Sequence, residues 1–314
     1  MLSLPDFREK QILFISGKNA EKDKIKFSND NICLLKENKI ENQVSCYKIF
    51  ALFVVGDCSL TTVLMRNCQK YGVSLFLMKN NFETYAFVIS IAEGNYLLRT
   101  KQYEFKEDLE IAKKIVANKI HNQIILLEKD KKQRAADYLK NLKIKIPLID
   151  DTKDLLGIEG CASKFFFQNY FRELGWVKRM PRTKIDIVNT LMDLGYTILF
   201  NFIDGLLGVY GFDAYKGFYH KLFFQRKSLV CDMMEPFRCL IDKQILKSCH
   251  LGQINKNDFK LSKGKFILNY ETQRKYLEFF STAIMDKKEA IFCYTKDFYY
   301  FLMNDSQFPE FKID

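Results

Sequence analysis

A change of hydrophobic period near residue 92 constrains this chain more than any other feature. Up to about Ile91 the apolar residues fall in short runs: QILFIS, KIKFS, NICLLKENKI, YKIFALFVV, VSLFLM and YAFVISI. The runs are rich in Val, Ile, Phe and Tyr, and Asn, Lys, Gly and Asp clusters separate them, the pattern of strands joined by turns. One helix is expected among them, with Ser59 as N-cap, Leu60, Val63, Leu64 and Met65 as its apolar residues, and Gly72 as its stop. Beyond the Ala92-Glu93-Gly94-Asn95 break the spacing turns helical. Ile111, Ile115, Val116, Ile120, Ile124 and Leu127 draw one apolar face along a long helix. Leu155 to Leu174, Ile185 to Tyr210, Ser228 to Lys247 and Asn269 to Met285 repeat the pattern. Five prolines in 314 residues leave long helices rarely interrupted. The expectation is an α+β protein, with a small β-rich domain over residues 1–91 and a larger all-helical catalytic domain over 92–314.

Composition narrows the function. A hydrophobic fraction of 48% excludes general disorder. MLSLPDFREK brings charge too early for a secretory signal, and the longest strictly apolar run, Ile49 to Val55, is too short to cross a bilayer, so no membrane partner is expected. Nine cysteines without a Cys-x-x-Cys pair fit reduced core filling, which points to a cytoplasmic protein. The net charge of +11, from 49 basic against 38 acidic residues, is spread along the chain and favours a folded surface that meets phosphate.

The stretch HKLFFQRKSLVCDMMEPFR, from His220 to Arg238, is where chemistry concentrates. On a helix from Ser228, Asp232 and Glu235 stand at i and i+3 and project from one face. Pro236 has no N–H for the carbonyl of Asp232 and should kink the helix there. Two readings stay open on these residues alone: a solvated acidic edge, or a metal site fenced by positive charge. Just upstream, GFDAYKGFYH carries Gly211 and Gly217 for close backbone approach and Asp213 to cap a turn, and delivers His220 to the basic stretch. A third acid, Glu159 in LLGIEGCASKFFFQNYF, is followed by the small residues Gly160, Cys161, Ala162 and Ser163, which would let a helix or ligand come close.

LLGIEGCASKFFFQNYF, PRTKIDIVNTLMDLGYTILF and GFDAYKGFYHKLFFQRKSLVCDMMEPFR occur in the order and approximate spacing of one family. The chain resembles the CRISPR-associated spacer integrases, the Cas-one family. LLRTKQYEF matches the Arg-x-x-Gln opening of that family's helical domain, here Arg99 and Gln102, so the likeness spans essentially the whole chain. The resemblance implies three divalent-metal ligands, Glu159, His220 and Glu235, with Asp232 lining the same pocket and Asn189 and Tyr196 as polar residues of the neighbouring helix. Asp232, Asn189 and Tyr196 are thereby candidate catalytic residues. Gln225 and Lys227 depart from the glycine and proline frequent at those places.

Two carboxylates and an imidazole suit Mg²⁺ or Mn²⁺, the nitrogen tilting the choice toward Mn²⁺, with Zn²⁺ ranked behind. The implied reaction is attack of the 3′-hydroxyl of a short DNA fragment on a phosphodiester of a CRISPR array, and water in its place would make the site a nuclease. Lys178, Arg179, Arg182, Lys184, Arg226, Lys227 and Arg238 are candidates to hold the DNA backbone. Implied partners are double-stranded DNA (prespacer and repeat), a second copy of the chain, and a small "Cas-two" subunit, the first domain serving dimer and partner contacts. The alternatives are a non-catalytic DNA-binding subunit and a metal-dependent phosphoesterase on small substrates. The intact ligand set argues against the first, and the positive charge without a nucleotide-cradling glycine loop against the second.

Overall fold

The computed structural model describes residues 2–89 and 94–314, so the boundary expected near residue 92 lies outside the described residues. In chain order the first part comprises helix α1 (Leu4–Arg8) and strands β1 (Gln11–Gly17), β2 (Asp23–Ser28), β3 (Asn31–Lys36), β4 (Lys39–Ser45), β5 (Ile49–Gly56) and β6 (Ser59–Leu60). Helix α2 (Thr62–Lys70) and strands β7 (Ser74–Met78) and β8 (Thr84–Val88) complete it. Two four-stranded sheets result, ordered β1-β5-β7-β8 and β4-β3-β2-β6. The first is parallel except for β8.

NICLLKENKI is a strand, a turn and the start of a second strand. Glu37 and Asn38 both take positive φ (49° and 64°), the paired left-handed conformation that joins hairpin strands, and Asn29 and Asp30 repeat it (48° and 58°) one hairpin earlier. Asx residues at three of these four positions lower the steric cost. The single helix is present, but Thr61 caps it by accepting from Leu64 N. Ser59 instead lies in β6 and bonds the carbonyl of Ala20. Gly72, with φ +68°, follows the helix as expected.

Strand β5 explains why IFALFVV is apolar throughout. Its register against β1 slips between Gln11 and Ile12, which leaves one extra residue in β5. Below the slip the side chains alternate strictly. Leu52 and Val54 enter a core with Ile25, Ile32, Leu64 and Leu75, between the two sheets and α2. Phe53 and Val55 enter the core of the helical part, beside Phe50, Phe76 and Phe202.

That helical part consists of α3 (Tyr96–Glu104), α4 (Asp108–Lys129), α5 (Gln133–Lys145), α6 (Thr152–Tyr170), α7 (Ile187–Tyr210), α8 (Ser228–Met234), α9 (Arg238–His250), α10 (Tyr270–Met285) and α11 (Lys288–Asn304). It is not all-helical, because strands β9 (Phe259–Ser262) and β10 (Lys265–Leu268) form a hairpin. The hairpin docks beside the start of α7, Phe266 N donating to the carbonyl of Lys184 at 2.8 Å. Nor is the first part purely a β unit, since α1 sends Phe7 into the helical core, stacked on Phe292 at 4.7 Å. Helix α7 is long and apolar enough to cross a membrane, but 78% of its most apolar window is buried inside the protein, as befits the central core helix. All nine cysteines are free thiols.

Candidate metal centre

Pro236 interrupts the helix as expected. Helix α8 ends at Met234, Glu235 to Phe237 form one tighter turn, and α9 restarts at Arg238. The interruption leaves the carbonyl of Pro236 to accept from Asn122 Nδ2 of α4 at 3.1 Å. The break therefore locks α8 and α9 against α4 and fixes where Glu235 points.

His220 arrives on a segment held at both ends. Gln102, fully buried, donates to the carbonyls of Asp213 (2.8 Å) and Lys216 (2.6 Å) and accepts from Asp213 N (3.1 Å). Arg99 Nε donates to the carbonyl of Gly211 at 3.1 Å. The Arg-x-x-Gln pair thus works by fastening the loop that leads to His220. Asp213 does cap a turn, its carboxylate accepting from Tyr215 N at 2.8 Å.

Asp232 is fully buried and accepts from three main-chain N–H groups: Phe218 (2.6 Å), Tyr219 (3.0 Å) and His220 (2.9 Å). It also bonds Nδ1 of the His220 ring at 2.7 Å. With Nδ1–H directed at a carboxylate, the lone pair on Nε2 is free to ligate. Asp232, expected to line the same pocket, is fully buried and positions His220 through its main chain and ring. Gly217 makes the cradle physically possible. A Cβ there would sit 2.8 Å from Asp232 Oδ2 and 2.8 Å from the His220 carbonyl.

Glu159 of α6 and Glu235 converge on one ammonium that sequence reasoning does not reveal, Lys119 of α4. Lys119 Nζ pairs with Glu159 Oε1 and lies 2.7 Å from Glu235 Oε2. Ser163 Oγ donates to Glu159 Oε1 at 2.8 Å, and Arg238 Nε lies 3.0 Å from Glu235 Oε1. Burial alone would disfavour every charge here, yet the ions hold one another charged. Burial opposes ionisation of Glu235, but Arg238 first, then Lys119, outweigh it and hold its carboxyl down at about 2. Glu159 is lowered in the same way, its burial outweighed chiefly by Lys119. The Lys119 ammonium is raised, its own burial outweighed by the two carboxylates.

Among the described residues no three His, Cys, Asp or Glu side chains converge tightly enough to hold a metal as they stand, because Lys119 holds the position between the carboxylates. The donor set nevertheless fits a hard divalent ion. Two carboxylates already share one cation position, Lys119 Nζ lying 2.7 Å from Glu235 Oε2 and paired with Glu159 Oε1. The imidazole beside them has its second nitrogen unengaged. Glu159, Glu235 and His220 are the residues that could hold the ion.

Other expected site residues take different roles. Asn189 is fully buried and saturated: it accepts from Arg179 Nη1 (3.0 Å) and Met180 N (2.9 Å), and donates to the Lys178 carbonyl (3.0 Å) and Asp186 (2.7 Å). It pins the loop over residues 178–184 to the start of α7. Tyr196 donates its hydroxyl to Asp242 at 2.5 Å, with Arg238 4.7 Å and Arg179 5.6 Å from its ring centre. It seats Arg238 rather than facing solvent, and burial together with Asp242 keeps its phenol protonated.

The basic set divides as well. Lys227 is buried against Asp204 at 2.5 Å, Arg179 pairs with Asp193 at 2.6 Å, and Arg238 pairs with Glu235, so none of these three presents an open cation to DNA. Lys184 donates to the Asn81 carbonyl at 2.8 Å and burial lowers its ammonium. Lys178 and Arg182 are exposed, and Arg226 is half-buried. Of the small run after Glu159, Gly160 faces open space, with no atom within 4 Å of a Cβ there, whereas Ala162 is fully buried in the core.

The sequence matches the family model of the CRISPR associated protein Cas1 over residues 19–282. A relative from Thermodesulfovibrio yellowstonii, the CRISPR-associated endonuclease Cas1, is 27% identical over 260 residues, covering 76% of this chain and 81% of the relative. Three solved structures share the fold. A Cas1 protein from Thermotoga maritima superposes with a TM-score of 0.84 at 21% identity, over 96% of this chain and 100% of its own. A casposase bound to integration product gives 0.81 at 19% identity, over 97% and 96%. A chain of a Cas6-RT-Cas1–Cas2 complex gives 0.81 at 24% identity, over 97% of this chain, which spans 36% of that longer one. With its β-rich first part, its helical remainder, and a match to the family model over most of its length, the chain belongs to the Cas1 family of CRISPR-associated proteins.

Proposed function

We propose that this Cas1 protein is a divalent-metal-dependent DNA strand transferase that inserts short DNA fragments into a CRISPR array in the cytoplasm of a prokaryote. The observation that carries the reading is the convergence of Glu159 and Glu235 on a single cation position beside an imidazole that Asp232 holds in one orientation. When bound by Glu159, Glu235 and Nε2 of His220, Mg²⁺ or Mn²⁺ would supply Lewis-acid stabilisation of charge on a phosphoryl oxygen. The chain's own residues prepare that chemistry. Lys119 keeps Glu159 ionised and, with Arg238, Glu235; Asp232 anchors the His220 ring through Nδ1, and Gln102 and Arg99 fasten the loop carrying His220. Exposed Lys178 and Arg182 hold the DNA backbone without reading bases.

Support for integration over simple cleavage comes from the casposase with its integration product, and support for a small Cas2 partner from the Cas1–Cas2 complex. A homodimer through the β-rich part completes the proposal. The test supplies the protein, its partner subunit, Mn²⁺, a short duplex with free 3′-hydroxyls and a CRISPR plasmid, and looks for joined products. Glu159→Gln and Glu235→Gln should each abolish joining while retaining most duplex affinity. Joining by either variant at the wild-type rate would remove that residue from the centre. No joining by the wild type, with salt-sensitive DNA binding intact, would leave a binding subunit.

A further inference from the structure

The segment after α11, residues 305–314, has no regular structure, yet it lies half sunk in the protein, with Phe308, Phe311 and Ile313 buried. An irregular segment in an apolar trough carries main-chain N–H and C=O groups that no helix or strand partners, and each needs a bond. Two buried amides of α4 supply them. Asn118 reads both groups of Phe311, accepting from its N–H at 3.0 Å and donating to its carbonyl at 2.6 Å. Asn122 donates to the same carbonyl at 3.0 Å and accepts from Ile313 N at 2.9 Å. Its other Nδ2 proton goes to the Pro236 carbonyl at 3.1 Å, so both protons and the oxygen of Asn122 are engaged.

That last bond ties the segment to the metal centre. Asn118 and Asn122 stand at i and i+4 on α4, and Lys119, which holds the cation position between Glu159 and Glu235, lies in the same turn of helix. Pro236 follows Glu235 directly in the chain. The Phe311 ring sits 4.5 Å from Phe237, at the other end of that tight turn. Lys243 of α9 donates to the Asp314 main-chain oxygen at 2.6 Å, and α9 opens with Arg238, the partner of Glu235. Residues 311–314 therefore grip α4, the 235–237 turn and α9, the pieces that set where the Glu235 carboxylate lies. Phe308 grips something else. Its ring lies among Tyr294, Phe298 and Phe301 of α11, at 6.3, 5.8 and 5.3 Å, and α11 carries no residue of the centre. Core filling accounts for Phe308, but not for a buried amide shared between the segment and the carbonyl beside Glu235.

We infer that Asn122 is a positioning residue for Glu235 and that residues 311–314 are the clasp that holds it, so that the centre takes up a divalent ion tightly only while this segment is docked. The inference rests on the metal-centre reading proposed above, and its test reads binding rather than catalysis. Mn²⁺ is titrated into the full-length protein without DNA and the free ion is followed by its EPR signal, at a temperature where circular dichroism shows each variant folded. Phe311→Ala and Asn122→Ala should each weaken Mn²⁺ binding about tenfold. Phe311→Leu, which refills the contact on Phe237, should recover most of that loss. Phe308→Ala should lower the melting temperature as Phe311→Ala does, and leave Mn²⁺ affinity unchanged. If Asn122→Ala does not fold, the Phe311 and Phe308 variants decide.

Wild-type Mn²⁺ affinity in Phe311→Ala would overturn the inference. So would equal weakening by Phe311→Ala and Phe308→Ala, which would make the segment core packing with no bearing on the centre. Glu235→Gln separates the two levels of the argument. If it binds Mn²⁺ as the wild type does, or the wild type takes up none, the reading of the centre falls and the clasp with it. If Glu235→Gln loses the ion while Phe311→Ala and Asn122→Ala keep it, the clasp alone falls.

Discussion

Lys119 offers the sharpest test of how the centre is held together. Replacing it with Met keeps the unbranched shape, one atom shorter, and removes the cation, leaving Glu159 and Glu235 facing one position with Arg238 on the far oxygen of Glu235. Lys119 is 9% exposed and Glu235 3%, so solvent cannot substitute for the lost ammonium. Removing one partner of a buried ion pair costs about 3–5 kcal/mol. In a chain of this size that lowers the melting temperature by roughly 5–8 °C. Two further signs follow from the same electrostatics. The carboxylates left facing each other bind a proton more tightly folded than unfolded, so the deficit should shrink as pH falls from neutral towards 5. Mn²⁺ should stabilise the variant more than the wild type, because in the wild type the ion must displace an ammonium. At a hundredfold excess over Kd the ion would return about 2.7 kcal/mol. Urea unfolding of both proteins with and without Mn²⁺, at two pH values, reads all three effects. A variant as stable as wild type without metal, or an equal Mn²⁺ effect on both, would refute the reasoning.

Gly217→Ala should lower stability by about 1–3 kcal/mol and abolish strand transfer, because its Cβ would lie 2.8 Å from Asp232 Oδ2. Gly160→Ala, in the middle of α6 with nothing within 4 Å, should raise stability by about 0.5–1 kcal/mol. The pair of melting curves checks both. Asp232→Asn should cost about 3 kcal/mol in urea unfolding, since three main-chain donors lose a charged acceptor and His220 loses its anchor. Burial raises Asp242 to about 7, so in the wild type its folded form binds the proton more tightly than its unfolded form. Stability is lost as pH rises from about 4 to about 7 on its account. Asp242→Asn should therefore gain on the wild type across that window, by roughly 1.4 kcal/mol for each pH step of one. Parallel stability curves for the two proteins would count against a raised Asp242.

The two-part architecture and most helices are legible because period is written residue by residue. Turns built from Glu37 and Asn38 are not, since left-handed φ at Glu37 carries no signature in an otherwise polar, charged tetrad. The acidic and imidazole members of the centre are legible through their motifs. Their mutual arrangement is not. Whether Asp232 ligates or orients depends on three main-chain N–H groups, which every residue type supplies alike. Lys119 stays hidden as long as the apolar positions of α4 alone are weighed. The available signal is the lack of a solvent face: Asn118, Lys119, Asn122 and Gln123 are buried together with the isoleucines, and a buried lysine demands a carboxylate nearby. Lys227, Arg179 and Arg238 look like open cations because a sequence does not show which acids meet them in space.

The two faces of β5 set a problem of timing during synthesis. Leu52 and Val54 find their partners within the first ninety or so residues, but Phe53 and Phe76 wait for Phe202 and its neighbours on α7. At about 5–20 residues per second, the stretch of about 150 residues between Phe53 and Phe202 takes roughly 10–30 s to emerge. For that interval a nearly finished sheet shows a row of phenylalanine rings to the cell, which is a ready substrate for a holding chaperone or for another nascent copy. A chain truncated after β8 should therefore bind a hydrophobic dye and sediment as aggregate, whereas the full-length protein stays dispersed. A truncated chain that stays monomeric and dark would mean that the sheet covers this face by itself.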